Sequence, residues 1–442
     1  MVGDIKYDVS KGANCHRLPL PPSNSCPGDS YCPGKWTVAG DWWSVCIGRL
    51  AALQKALAVG VSTMRRTLVI SPGEAAAVTA SVSYRYVKCA LRLVSQHAYC
   101  ITGVAITGIG FVILRYWIAG GVCRCTRRMD GKTVIITGAN SGIGKETARE
   151  LARRGARVIM ACRDAQRSEE AAKELRASTG NEQILVSRLD LASIQSVHGF
   201  AREIAETESK IDVLINNAGA PIGPRQVTED GFELQIGVNH LGHFLLTILL
   251  LEQLKCGTPS RIINVASRAH YLGKIRFNDI NMNEHYDSLL SHCQSKLANI
   301  LFTRELARHL QGAGVTVNAV HPGLVWTDTL RRMMQHQPLY IRLMLAPFYF
   351  CLKTPEQGAQ TSIHCAVAPD LEGVSGQYFS DCVQREVSYY AQDDCLAKTL
   401  WDTSLEMVAL EVSPSTINGS LYWSMAHRIR GNNTKKSRLC VY

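Results

Sequence analysis

The chain has 442 residues, 46% of them hydrophobic, with 48 Lys and Arg against 37 Asp and Glu, a formal net charge of +11. That content is ordinary for a globular core, and the length allows one large domain with extensions or two domains. Much of the positive excess lies in flanking segments without interleaved aromatic residues, which argues against a nucleic-acid-binding surface.

Residues 1–95 read as an irregular extension to which no role is assigned. The stretch "RLPLPPSNSCPGDSYCPGKW" is rich in Pro, Ser and Gly, and "WWSVCIGRLAALQKALAVGV" lies too far from Met1 to be a signal peptide. Residues 96–121 follow as a membrane-anchor helix. Ala98 to Leu114 is a run of 17 uncharged residues, the lower edge for spanning a bilayer. Arg115 can snorkel to the interface, where Tyr116 and Trp117 also belong. Arg124, Arg127 and Arg128 downstream favour a cytosolic C-terminal side, although Arg85, Lys88 and Arg92 precede the run.

From 122 to 410 the pattern predicts one doubly wound α/β domain, a Rossmann-type parallel sheet with helices on both faces. The runs "TVIIT", "RVIMA", "QILVSRL", "IDVLIN", "RIINVAS" and "VTVNAV" alternate with helical stretches such as "KETARELARR", and "GQYFS" offers a seventh strand. The tail at 411–442 is basic (Arg428, Arg430, Lys435, Lys436, Arg438) and reads as solvated and disordered. The 16 cysteines follow no disulfide framework, which suggests a reducing compartment. Cys123 and Cys125 are too close for a usual zinc pair, and no metal is expected.

The first strand runs into "TGANSGIGKETA", with glycines at 138, 142 and 144 where a helix begins. Gly138 permits a tight turn, and Ser141, Gly142, Ile143 and Gly144 would let backbone amides approach a pyrophosphate at the helix N-terminus. After the second strand, Arg163 stands where an NAD-selective site carries an acid. With Lys145 on the adjacent loop it would pair with a 2′-phosphate, which selects NADP(H).

"TGANSGIG", "ACRD", "DLAS", "NNAG", "GVNHLGHFLLT", "SKLANILFTRELARHL", "VHPG" and "TPEQGAQTS" occur in this order. In that set the chain resembles the short-chain dehydrogenase/reductases, specifically their retinol dehydrogenase branch, over about Gly121 to Val408. The resemblance implies hydride transfer between NADP(H) and a lipophilic alcohol or aldehyde, a retinoid in this branch. It also implies an endoplasmic reticulum membrane location with the catalytic domain in the cytosol. Carried across by position, Asp190 and Leu191 would contact adenine. Asn217, Ala218 and Gly219 would line the central groove, and Pro322, Gly323 and Thr327 would hold the nicotinamide end.

The family's catalytic set is Asn, Ser, Tyr and Lys. Asn239 would organise a helix and a water chain, Ser267 would hydrogen-bond the substrate oxygen, and Lys296 would hold the nicotinamide ribose and lower a phenol's pKa. The tyrosine is absent: four positions before Lys296 stands His292, and Tyr286, ten positions before the lysine, would point elsewhere. Imidazole can move protons near neutral pH, yet it is shorter than phenol, and a misplacement of about 1 Å can cost about 100-fold. Two readings follow: an oxidoreductase impaired by His292, or a cofactor-binding pseudoenzyme acting as a scaffold or redox sensor.

The segment "DTLRRMMQHQPLYIRLMLAPFYFCLK", rich in Met, Leu, Phe and Tyr, would cover an apolar substrate pocket; a core helix pair is the alternative. The helix expected at Ser288–Leu310 offers a face for a homodimer.

Overall fold

A computed structural model describes residues 72–327, 331, 338–349 and 351–409. The readings of the extension up to residue 71, of the tail, and of most of 328–337 lie outside them. The chain divides at Cys100/Ile101 into two compact units, and the second contains the sheet.

Short runs, most of them rich in apolar residues, become strands of one sheet. These are β1 (Thr133–Thr137), β2 (Arg157–Cys162), β3 (Ile184–Arg188), β4 (Val213–Asn216), β5 (Ser260–Val265), β6 (Val315–His321), β7 (Tyr378–Ser380) and β8 (Val383–Arg385). Their order is β3-β2-β1-β4-β5-β6-β7-β8. Strands β1 to β7 are parallel, as expected, and "GQYFS" supplies the seventh. An eighth, β8, was not anticipated. It pairs antiparallel with β7 across a two-residue turn, Asp381 and Cys382, both at positive φ as the twist of a tight hairpin requires.

Period-two alternation fills both faces. Val134 and Ile136 of β1 enter one core cluster while Ile135 enters the other. On the faces lie α2 (Gly142–Arg153), α3 (Ala165–Thr179), α4 (Ile194–Thr207), α5 (Leu234–Leu249), α6 (Ser288–His309), α8 (Pro355–Val367) and α9 (Asp394–Ala409), with α7 (Leu339–Tyr349) preceding α8. The winding reverses between β1 and β4, and that reversal opens the crevice where α/β proteins bind ligands.

Helix α1 runs from Pro72 to Ala119, so residues 72–95 are helical rather than irregular. Proline at the first position gives up only an orphan N–H, and the alanines that follow favour helix. Its final stretch, Thr102–Ala119, has mean hydropathy 1.5 with none of it buried inside the protein, long and apolar enough to cross a membrane.

Helix α6 is buried around most of its circumference, from Cys293 through Thr303 without a break. Asp287 caps it by accepting the N–H groups of Leu289 and Leu290. Arg304 and Arg308 also pair with Asp394 at the start of α9. The helix is therefore a core element of its own chain.

Candidate active site

The glycines of the β1–α2 turn are placed as a phosphate cradle needs them. Gly138 and Gly142 take φ of 65° and 55°, the left-handed region where a side chain is strained. A Cβ on Gly144 would meet Asn217 Nδ2 and the Gly138 carbonyl oxygen, each at 2.5 Å. Ser141 is the N-cap of α2, yet its side chain makes no capping bond, so the first-turn amides keep their donor capacity. This donor-rich concavity fits a dinucleotide's pyrophosphate.

Thr137, the last residue of β1, holds the opposite wall. Its Oγ1 accepts the N–H of Asn217 at 2.8 Å and of Ala218 at 2.9 Å, while Asn217 Nδ2 donates to the Thr137 carbonyl at 2.8 Å. Gly219 follows, 3.5 Å from Asn239 Oδ1 measured from an added Cβ. Asp190 accepts the Ala192 N–H at 3.0 Å, and Leu191 is buried beside it. Thr327 reaches across, its methyl 3.6 Å from where a Gly142 Cβ would stand. Pro322 and Gly323 follow β6; Gly323 has φ 90°, and the Lys353 side chain fills the space a Cβ would need.

Arg163 is exposed just past the end of β2. Lys145 is placed differently from expectation. It lies in α2 rather than on a loop, and its ammonium meets Glu174 Oε2 of α3 at 2.5 Å.

Helix α6 meets the end of β5. Lys296, 6% exposed, donates from Nζ to the Val265 carbonyl at 3.0 Å, and Asn299 donates to the same oxygen at 3.3 Å. Val265 ends β5, and Ser267 follows two residues later. Burial lowers the Lys296 pKa to about 8, so it remains mostly an ammonium at neutral pH. Ser267 Oγ accepts the Ala269 N–H at 3.2 Å and keeps its proton to donate. Asn239 accepts the Ala220 N–H at 2.7 Å and donates to Ser295 Oγ at 2.9 Å, tying the Asn217–Gly219 strand end to the helix that carries Lys296. Asn239 lies in a π-helical stretch of α5, Gly237–Leu241, a departure that recurs at functional sites.

His292 stands one turn before Lys296, half-buried, and its Nδ1 is buried without a hydrogen-bond partner among the described residues. Burial, followed by the Lys296 charge, lowers its pKa to about 4. Tyr286 is elsewhere: its hydroxyl donates to the Gly223 carbonyl at 3.1 Å and accepts from Gln235 at 3.4 Å. No phenol substitutes for His292 from that position.

A general description of the family "short chain dehydrogenase" matches residues 132–338. Retinol dehydrogenase 11 of Homo sapiens is 51% identical over 299 residues, 68% of this chain and 92% of that protein. Retinol dehydrogenase 13 of Mus musculus is 49% identical over 306 residues, 69% of this chain and 92% of that protein. The chain belongs to the short-chain dehydrogenase/reductase family, in its retinol dehydrogenase-like branch. Among solved structures, an uncharacterized protein from Mycobacterium paratuberculosis aligns with TM-score 0.52 at 38% identity, over 65% of this chain and 97% of that one. As a short-chain dehydrogenase, the chain is an oxidoreductase with a nicotinamide-dinucleotide site.

Three residues that sequence reasoning did not single out brace the candidate site. Thr137 orients the Asn217 and Ala218 amides, His243 bonds Thr137, and Lys353 braces Gly323 while pairing with Asp381. The spacing of Asn239 and His243, one helical turn apart in "GVNHLGH", was the one available signal.

Proposed function

We propose that the chain is a membrane-associated, NADP-dependent oxidoreductase of lipophilic alcohols and aldehydes, with retinoids as the substrate class and low turnover. The observation that carries this reading is the pairing on α6. Lys296 is hydrogen-bonded to the Val265 carbonyl, two residues before Ser267, and one turn away stands His292, its pKa lowered by burial. The nicotinamide, when bound, supplies or takes the hydride. The Ser267 hydroxyl hydrogen-bonds the substrate oxygen, and the Lys296 ammonium holds the ribose. His292 exchanges a proton with that oxygen through a bridging water, because its ring is shorter than a phenol.

Exposed Arg163 at the end of β2 supports the phosphorylated cofactor, since a guanidinium pairs bidentately with a phosphate. Thr102–Ala119 supports anchoring, and the basic residues after it support a cytosolic catalytic domain; the endoplasmic reticulum follows only from the resemblance to the retinol dehydrogenase branch. The substrate class follows the named activity of the relatives, retinol dehydrogenases.

One observation favours a second reading. With a pKa of about 4, His292 holds almost no imidazolium at neutral pH, so the chain could bind cofactor without turning over, as a scaffold or redox sensor. Purified protein, NADPH and all-trans-retinal decide between them. Decay of the reduced-cofactor absorbance establishes the oxidoreductase. Absence of decay in the wild type, with decay restored in His292→Tyr, establishes the second reading.

A further inference from the structure

The segment between β6 and α8 leaves the nicotinamide turn and returns to it. Its ends are stitched by the Lys353 N–H to the Leu324 carbonyl at 2.8 Å and the Trp326 N–H to the Lys353 carbonyl at 2.9 Å. Helix α7 lies on this excursion, and its last residue, Tyr349, packs its ring on Trp326 with centroids 4.7 Å apart. The helix is thus fastened at one end to the site. Along the rest of its length it turns apolar groups to solvent: Leu339 is 66% exposed, Tyr340 71%, Leu343 64% and Met344 67%. Leu339 with Leu343, and Tyr340 with Met344, are spaced one turn apart, so the four form one stripe. No core element of the described chain covers it, and stripes of this kind on a soluble surface mark an interaction face.

What covers it follows from Arg115. This residue lies in the apolar stretch Thr102–Ala119, and its Nη1 donates to the Leu352 carbonyl at 3.0 Å. Leu352 in turn donates its N–H to the Tyr349 carbonyl at 3.1 Å. The end of α7 therefore meets α1 at the level of Arg115, about 6 Å along the axis from the helix end at 1.5 Å per residue. Arginine, Tyr116 and Trp117 at that level are the residues that settle at the headgroup layer. Exposed Arg342 on α7 and Arg124 after α1 complement anionic headgroups.

We propose that α7 is a second membrane-contact element, lying in the headgroup layer of an anionic bilayer with Leu339, Tyr340, Leu343 and Met344 turned into the acyl boundary. This rests on the reading of α1 as an anchor and deepens the lipophilic-substrate reading. A substrate dissolved in the bilayer then reaches the nicotinamide turn along α7 without crossing water.

The test uses the full chain in phosphatidylcholine–phosphatidylserine vesicles, made with and without brominated acyl chains. Tyr340→Trp places an indole on the stripe, and Leu343→Trp repeats the measurement on the same face should the first variant fold poorly. Leu185→Trp, on β3 at the opposite edge of the sheet, is the control. The emission added by Tyr340→Trp should shift to the blue and fall by roughly half in brominated vesicles, as expected of groups about 5–10 Å into the boundary. The emission added by Leu185→Trp should not change. Added emission on α7 that stays unquenched in protein that floats with the vesicles overturns the proposal while leaving the anchor intact. Protein that does not float overturns both. The readout is fluorescence, so absence of turnover would sink the enzymatic reading without affecting this one.

Discussion

Oγ1 of Thr137 lies 2.8 Å from Nε2 of His243, joining the end of β1 to the helix that carries Asn239. His243 Nδ1 faces the Asn239 carbonyl at 3.1 Å, so Nδ1 carries the proton and Nε2 takes the threonine's. Since Thr137 also accepts the amides of Asn217 and Ala218, one hydroxyl organises the floor of the candidate cofactor groove. Thr137→Val keeps the shape and strands those donors, which should cost about 1–3 kcal/mol of stability. Urea unfolding reads the loss, and calorimetric titration should show weaker dinucleotide binding. An unchanged affinity would remove Thr137 from the site.

Acid should loosen the fold earlier than carboxylate protonation would. Burial lowers His240 to about 3 and His243, His292 and His321 to about 4, against 6.5 when unfolded. The unfolded chain therefore binds more protons, so stability is full above pH 6.5 and falls as pH drops toward 4. The slope should reach roughly 1.4 kcal/mol per pH unit for each histidine. Thermal unfolding followed through that window checks it, and a flat Tm would contradict the neutral buried state of these rings.

His292→Tyr should raise the rate of retinal reduction by about 100-fold, the value of a placed proton donor. The wild type should also respond to acid. With a pKa of about 4, the imidazolium fraction grows about tenfold for each unit the pH falls between 7 and 6. Initial rates across that interval read the slope, and His292→Tyr should abolish it. Equal slopes in both proteins would place the proton donor elsewhere.

Gly144→Ala is small on paper and large in this setting. Its methyl would lie 2.5 Å from Asn217 Nδ2 and from the Gly138 carbonyl oxygen, and backbone cannot yield as a flexible side chain can. A loss of about 1–3 kcal/mol is expected, together with loss of cofactor protection in a thermal shift assay. Gly131→Ala, where nothing lies within 4 Å but φ is 70°, serves as the comparison, since it is strained without touching the cradle.

Arg163→Asp should exchange cofactor preference. Removing the guanidinium and adding a diol acceptor at the end of β2 should lower the NADP:NAD ratio of kcat/KM by about 100-fold, or of Kd if turnover is absent. A ratio that does not move would assign the 2′-phosphate to other cations. Lys145 is the neighbour to examine next, although Glu174 holds it.

The parallel sheet was legible because its central strands are short, almost fully buried apolar runs between helices, a pattern written in adjacent positions. The glycine turn and the His292–Lys296 spacing were legible for the same reason, each being a local arrangement of a few residues, whereas Asn239 and Ser267 came only through the resemblance of their motifs to the family's. β8 was not, because Val383, Gln384 and Arg385 are exposed and carry no alternation. Nor was the start of α1, where the apolar run set the expected limits and the weaker helical preference of 72–95 did not.

The sequence by itself determined the fold class, the cofactor cradle and the absence of a tyrosine four residues before Lys296. The tertiary structure decided which groups those residues lean on. Thr137 and His243 are 106 positions apart, and Arg115 and Leu352 are 237 apart. Local periodicity carries no information across such distances, because burial and hydrogen-bond satisfaction are settled only when separate elements pack. The charge state of His292 is of the same kind: its residue type is written in the chain, and its pKa belongs to the surroundings that folding builds around it.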